Sequence, residues 1–322
     1  MHTAFFRLFV LISTATRFCG CLPTHPGTSN RRSGCTEPST RVEWNTLTQE
    51  EKKAYFAAEL CLLTAPAQTN IPDIVSRYDD LVGAHSEQSD VIGGNDYWHV
   101  TGQFLHAHRY FIHAHETLLR SECGYTGPLP YWNEVVDAGS FLTSPVVLDF
   151  GGEGTWDSDW VVVDGPFGNL TRYLGPGSTN TNHMLTRQVD GTWSLQAGQI
   201  YVDYVLALDT MAKFKDTIYH GLHVAGHKGV GGEMANVMTS PNDPIFWMHH
   251  GYVDYIWWKW QGDNETRIND LEGIGYETQK EPDTGYVETN EDTVLYLFNI
   301  LPNTTVGDVS DTQGSLLCYT YA

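Results

Sequence analysis

Basic residues are scarce in this chain: 18 Lys and Arg stand against 39 Asp and Glu, a formal charge of −21. That balance argues against nucleic acid, whose phosphates demand a basic face. It argues equally against an anionic membrane surface. Long apolar runs are also missing, since none reaches the roughly 18 residues of a transmembrane helix. No solenoid-type repeat is present. Cysteine is sparse, with 6 in 322 residues and no close pair beyond Cys21, which makes a zinc–thiolate cluster a poor reading. What remains is globular composition, 41% apolar and 12% aromatic, with ample material for a core.

The chain divides into three expected parts. Residues 1–21, with Phe5, Phe6 and Leu8 to Ile12 followed by small residues, read as a signal peptide. Residues 22–40, rich in Pro, Ser, Thr, Gly and Arg, read as a flexible N-terminal segment. Residues 41–322 form the domain. Secretion, or delivery to a secretory vesicle, agrees with glycosylation sequons at Asn169, Asn264 and Asn303. If the leader is cleaved after Cys21, Cys35, Cys61, Cys123 and Cys318 remain. Two disulfides are the better use of them, and sequence alone leaves three pairings open.

Helical signals dominate. Thr48 and Glu51 read as a capping box opening a helix through Leu63. A second helix follows Pro72, and a third runs from Gln103 to Arg120. Residues 124–200 lose periodicity and read as loops, with a short hairpin around Trp160 to Val163. Helices are expected again over 201–212, 216–227 and 244–261, before a tail of turns and short strands.

The chemical signal is histidine, of which there are 14. His223 and His227 lie one helical turn apart on one face, a spacing that suits two imidazoles on one metal. His250 on the next helix supplies a third ligand. Asp254, one turn beyond, is placed to accept the other ring N–H of His250. The first half offers His85, His99 and His108. His99 and His108 would lie on opposite faces of one helix, so they converge only if His99 precedes it, and Thr101-Gly102 allows that break. His106, His113, His115 and His249 fall off the ligand faces or too far along them. Two three-imidazole sites imply two borderline-soft ions; the carboxylate-free set suits copper, zinc, iron or nickel and disfavours magnesium, calcium and manganese.

At these residues the chain resembles the tyrosinase, catechol oxidase and hemocyanin family, the type-3 dicopper proteins. The first motif is His99-x4-Phe104-Leu105-x2-His108-Arg109-x2-Ile112-x3-Glu116. The second is Asp243-Pro244-Ile245-Phe246-Trp247-Met248-His249-His250-x3-Asp254, preceded by His223-x3-His227. Pro130-Tyr131-Trp132 and Tyr319-Thr320-Tyr321 resemble two further family segments. The look is closest to short secreted fungal members. The resemblance implies a mainly α fold, an antiparallel four-helix bundle holding a dinuclear metal site, with long irregular loops and short strands. It implies disulfides Cys61–Cys123 and Cys35–Cys318, and copper on His85, His99 and His108 and on His223, His227 and His250. Asp254, Glu116 and Phe246 would support the site. The expected reaction is oxidation of an o-diphenol, or a related phenolic secondary metabolite, to a quinone with O2. The chain ends one residue past Tyr321, so no C-terminal lid domain is expected.

Departures from the pattern shape that expectation. Ala107, preceded by His106, stands where an aromatic is usual, and Tyr255 stands where Arg is frequent. Val224 follows His223 where monophenol-hydroxylating members often carry Asn or Asp. Tyr97 replaces the Cys of a Cys-x-His thioether link. These favour catechol-oxidase-like over monophenol monooxygenase chemistry. They also motivate an alternative: a zinc-loaded, non-redox enzyme resembling the cyclopenases of fungal alkaloid biosynthesis, acting on an alkaloid without O2. A third reading is an O2-binding protein without turnover.

Overall fold

The computed structural model describes residues 35–90 and 95–322. The signal-peptide reading, Cys19 and Cys21 lie outside them. Ten α-helices are described: α1 Gln49–Thr64, α2 Arg77–Gln88, α3 Phe104–Cys123, α4 Pro145–Asp149, α5 Gly191–Ser194, α6 Gln199–Leu206, α7 Met211–Ile218, α8 Val224–Val230, α9 Ile245–Gly262 and α10 Val306–Val309. Strands are short and few. The mainly α architecture with irregular loops is thus as expected.

Local chemistry sets the helix ends. Thr48 and Glu51 form the reciprocal capping box of α1. Ser76 and Asp79 do the same for α2, which leaves Ile74 outside the helix. α3 stops where Gly124 turns left-handed at φ 67°. The helix expected over 201–212 breaks instead, because Thr210 caps α7 through the Lys213 amide. Trp160 to Val163 form no hairpin; Val161 makes a single bridge to Thr186, and the nearby ribbon pairs Thr171–Arg172 with His183–Met184.

α9 is buried on nearly every side, from Ile245 to Trp257, and α3 almost as completely. Helices apolar all round belong at the centre of a domain. These two pack on each other, α1 packs on α3, and α2 packs on α1.

A small parallel sheet closes over them. Ser39–Glu43 lies between Pro130–Tyr131 and Tyr319–Tyr321, with Val42 opposite Pro130 and Ser39 opposite Tyr319. Its Arg41 is buried and reaches both Asp254 and Glu116. Disulfides join Cys35 to Cys318 and Cys61 to Cys123. The first ties the end of the segment expected to be flexible into the domain, and the second ties α1 to the end of α3. No described helix is long and apolar enough to cross a membrane.

Candidate metal centre

His85 projects from α2 and His108 from α3, while His99 precedes α3 in a loop. Their rings meet, with centroids 5.1–5.7 Å apart. The loop does what a continuous helix could not. Val100 adopts φ 56°, strained for a β-branched residue. Gly102 packs so tightly that a Cβ there would sit 2.2 Å from Thr289 Oγ1. Gln103 Nε2 donates to the Tyr97 and Glu277 carbonyls, locking the loop onto the C-terminal segment.

The second group sits on a π-helical turn, on α8 and on α9. A π-helical turn, Tyr219–His223, runs between α7 and α8; such single π turns recur at functional sites. His223 and His227 rings lie 4.5 Å apart, and His250 lies 5.1 and 5.2 Å from them. The groups face each other. His250 stacks on His108 at 4.4 Å and 9°. Phe246 packs 4.1 Å from His250 and 5.4 Å from His85, bridging both groups.

Ring tautomers are set by the backbone. The Nδ1 atoms of His85, His108, His223 and His227 face the carbonyls of Met238, Phe104, Tyr219 and Met234 at 2.7–3.3 Å. A carbonyl can only accept, so each Nδ1 carries the proton and each Nε2 presents a lone pair inward. The Nε2 atoms of His85, His108 and His223 are buried without any partner. His227 and His250 bring their Nε2 atoms within 3.1 Å of each other. Burial, then the neighbouring imidazoles, hold His85, His108, His223, His227 and His250 well below the usual histidine range. Neutral rings with orphaned lone pairs are what a metal ion requires. Each group's candidate ligand atoms lie within 4.8 Å of one another, so the donor set fits two ions.

Two sequence expectations need correction. Asp254 does not reach His250, whose Nδ1 has no partner. Its carboxylate is taken by Arg109 Nε at 2.6 Å, Arg41 Nη1 at 3.2 Å and the hydroxyls of Tyr319 and Tyr321. Two buried guanidiniums outbid a neutral imidazole for an anion. Glu116 likewise serves Arg41 and Arg120 rather than the metal groups. Both residues anchor the fold that carries the ligands.

His249, expected to point away, lies among His223, His227 and His250. Its Nδ1 meets Glu134 Oε1 at 2.5 Å, and both side chains are fully buried. Burial pulls His249 down to about 3 and pushes Glu134 up, so both favour neutrality. Gly226 makes this approach possible, because a Cβ there would lie 2.1 Å from His249 Nδ1. Glu134 carries no sequence signal toward His249, since 115 residues separate them.

Asp96 was also missed. Its Oδ1 accepts from the amides of Trp98 and His99, and its Oδ2 lies 3.3 Å from His99 Nδ1. It therefore tethers His99 through its backbone amide and sets a carboxylate oxygen beside the ring. The i−3 spacing was legible as a clue. His115 is spent elsewhere, stacked 3.9 Å from Trp247 and 2.8 Å from Glu59. His106 is buried against Trp257.

His99, His223 and His227 floor an open cleft walled by Tyr219, Val224, Met234, Ala235 and Val237 with Lys228 and Ser240. Asn169, Asn264 and Asn303 are all exposed.

Comparison with known proteins agrees with this geometry. The model of the common central domain of tyrosinase matches residues 75–263. Tyrosinase ustQ of Aspergillus flavus is 31% identical over 315 residues, covering 92% of this chain and 82% of that one. N-acetyl-6-hydroxytryptophan oxidase ivoB of Emericella nidulans is 29% identical over 346 residues, covering 88% of this chain and 92% of that one. A polyphenol oxidase from Thermothelomyces thermophila superposes with TM-score 0.79 at 28% identity, over 88% of this chain and 89% of that one. Matched in sequence across the residues that bring the two imidazole groups together, and in fold around them, the chain belongs to the tyrosinase family of type-3 dicopper proteins.

Proposed function

We propose that this chain is a secreted dicopper oxidase that uses O2 to convert o-diphenols, or a related phenolic secondary metabolite, to o-quinones. The observation that carries the reading is the facing pair of imidazole groups, three of whose rings, His99, His223 and His227, open onto an apolar cleft. His85, His99 and His108 would hold one copper and His223, His227 and His250 the other. When bound, the pair supplies two-electron oxidation coupled to O2 reduction. Two o-diphenols each lose two electrons and two protons, and one O2 becomes two waters.

The chain's own residues orient and exclude. Backbone carbonyls hold four imidazoles in the metal-binding tautomer. Val224, Met234, Ala235 and Val237 give an aromatic ring an apolar slot above them. Phe246 fills the space between the groups and keeps water out. The cleft lining contains neither a carboxylate nor an amide side chain. A monophenol finds no such group to take its proton, which favours o-diphenols, already acidic and chelating. The N-acetyl-6-hydroxytryptophan oxidase relative fits an assignment to phenolic secondary metabolism. Two disulfides and three exposed sequons support the secretory route.

The test is elemental analysis of protein purified from a secreting fungal host, with O2 uptake measured on a catechol panel. Two coppers per chain and catechol-dependent O2 uptake are expected. Zinc as the resident metal, with no uptake after copper reconstitution, refutes the oxidase and supports the non-redox alternative, because six imidazoles accept zinc equally well.

A further inference from the structure

One short segment serves both imidazole groups. Residues 231–242 leave α8 at Gly231, turn once over Gly232–Ala235 and again over Ser240–Asn242, and lead into α9. The Met234 carbonyl accepts from His227 Nδ1 at 2.7 Å, and the Met238 carbonyl accepts from His85 Nδ1 at 2.9 Å. His227 belongs to one group and His85 to the other. The carbonyls that hold His108 and His223, from Phe104 and Tyr219, come instead from the ligand's own helical stretch. Bonds inside the segment make its middle one piece: Asn236 donates its amide to the Glu233 carbonyl, and Met238 donates its amide to Asn236 Oδ1.

Both ends of the segment are pinned to one polar network. Glu233 is buried, and its Oε2 accepts from Asn242 Nδ2 at 3.2 Å, so the two ends meet. Asn242 also donates to the Leu174 carbonyl and accepts from Arg172 Nε. Arg172 pairs with Asp79, which closes the capping box of the helix that carries His85. The other Glu233 oxygen lies 2.9 Å from His183 Nε2, on the ribbon of Thr171–Arg172 and His183–Met184. His183 Nδ1 donates to the Thr181 carbonyl at 2.8 Å. Acceptors thus flank both ring nitrogens, which suits the imidazolium. The Glu233 contact holds His183 above the usual histidine range, against burial and the opposing charge of Arg172.

We propose that residues 231–242 form a strap that sets one ligand of each ion at once, and that Glu233, clamped between His183 and Asn242, is the positioning residue that holds the strap. This rests on the reading of the two imidazole groups as a dinuclear metal centre. With the strap pinned, the Met234 and Met238 carbonyls stay in place, and each keeps an imidazole in the tautomer that turns Nε2 inward. Without Glu233, Asn242 loses an acceptor and His183 its counter-charge. The two carbonyls then shift together, because they belong to one bonded piece. A local fault at one ligand weakens one ion, whereas a fault in the strap weakens both.

The experiment follows ion release, so the readout does not depend on turnover. Metal-loaded protein from a secreting host is equilibrated with rising concentrations of a chelator, and the ions left per chain are counted by elemental analysis. Glu233→Ala should loosen both ions by about 10–100-fold, the usual cost of losing a partner that orients a ligand. His183→Ala breaks the same clamp from a partly exposed position; it should act in the same direction, and it decides the matter where Glu233→Ala does not fold. Glu233→Gln should restore wild-type retention, because its amide oxygen still accepts from Asn242 and its N–H donates to the lone pair of a neutral His183. A pH series separates the two clamps. The charged groups facing His183 are Glu233 and Arg172. The wild-type ion pair is complete below the raised His183 pKa and is lost as pH climbs through it. Retention by the wild type relative to Glu233→Gln should therefore fall from about pH 6 to about pH 9, while ligand protonation, common to both proteins, cancels in the ratio. Loss of one ion or of neither in the Ala variants, no rescue by Glu233→Gln, or a flat ratio overturns the strap and leaves a two-ion wild type standing. A wild type that holds fewer than two ions overturns the centre and the strap with it. Two zinc ions, both loosened in the Ala variants, sink the oxidase and support the strap.

Discussion

Replacing Gly226 by Ala sets two magnitudes against each other. Within α8 the change should help, because Ala outranks Gly in a helix interior by about 1 kcal/mol. The new methyl, however, would lie 2.1 Å from His249 Nδ1, 2.2 Å from its Cε1 and 3.0 Å from Glu134 Oε1. Ordinary contact is about 3.5 Å, so the ring or the helix must shift by roughly 1.4 Å. The ring cannot swing away freely, since it is fully buried and bonded to Glu134 at 2.5 Å. Helix α8 therefore moves, and it carries His227 with it. Overpacking of this kind costs about 1–3 kcal/mol, which outweighs the propensity gain. We expect Gly226→Ala to lower the thermal midpoint by roughly 2–5 °C and to retain one metal ion per chain after dialysis where the wild type retains two. Calorimetry and elemental analysis on the same preparation read both. A variant that melts at or above the wild type and keeps both ions would show that this helix contact does not hold the second group in place.

Three further outcomes follow from the same structure. Asp96→Asn keeps an acceptor for the Trp98 and His99 amides but can turn an N–H toward His99 Nδ1; the wrong tautomer should weaken the first ion by about 10–100-fold, read by chelator competition, and unchanged retention would refute the tether. Asp254→Asn leaves Arg41 and Arg109 buried without their shared anion and should cost about 3–5 kcal/mol in denaturant unfolding; a loss below about 1 kcal/mol would mean that the guanidiniums find other partners. His113 is pulled by burial from 6.5 to about 4. The unfolded chain then binds a proton between those values that the folded chain refuses, so stability falls as pH drops through the window. His113→Leu should flatten that slope by up to one proton in urea titrations at about pH 7 and about pH 4.5; an unaltered slope would contradict the assignment.

Much of the centre was legible in one dimension because helical spacing is a local rule. His223 and His227 share a face whatever surrounds them, and the capping boxes at Thr48 and Ser76 depend on residues three apart. The need for His99 to precede α3 followed from helical rotation alone. The motif around His250 carried the resemblance, and with it the expected helical fold.

Other features depended on which distant groups compete for an atom. Asp254 has the right spacing to serve His250, yet it goes to Arg41 and Arg109, residues from a strand and from another helix. Charge decides that contest, and only packing brings the charges near. His249 looked misdirected by helical angle, but a neighbouring helix without a side chain at Gly226 lets its ring join the group. Periodicity and side-chain type thus determined which residues could ligate. The tertiary structure decided which carboxylate and glycine would serve them, because those choices turn on electrostatic and steric competition between segments far apart in the chain.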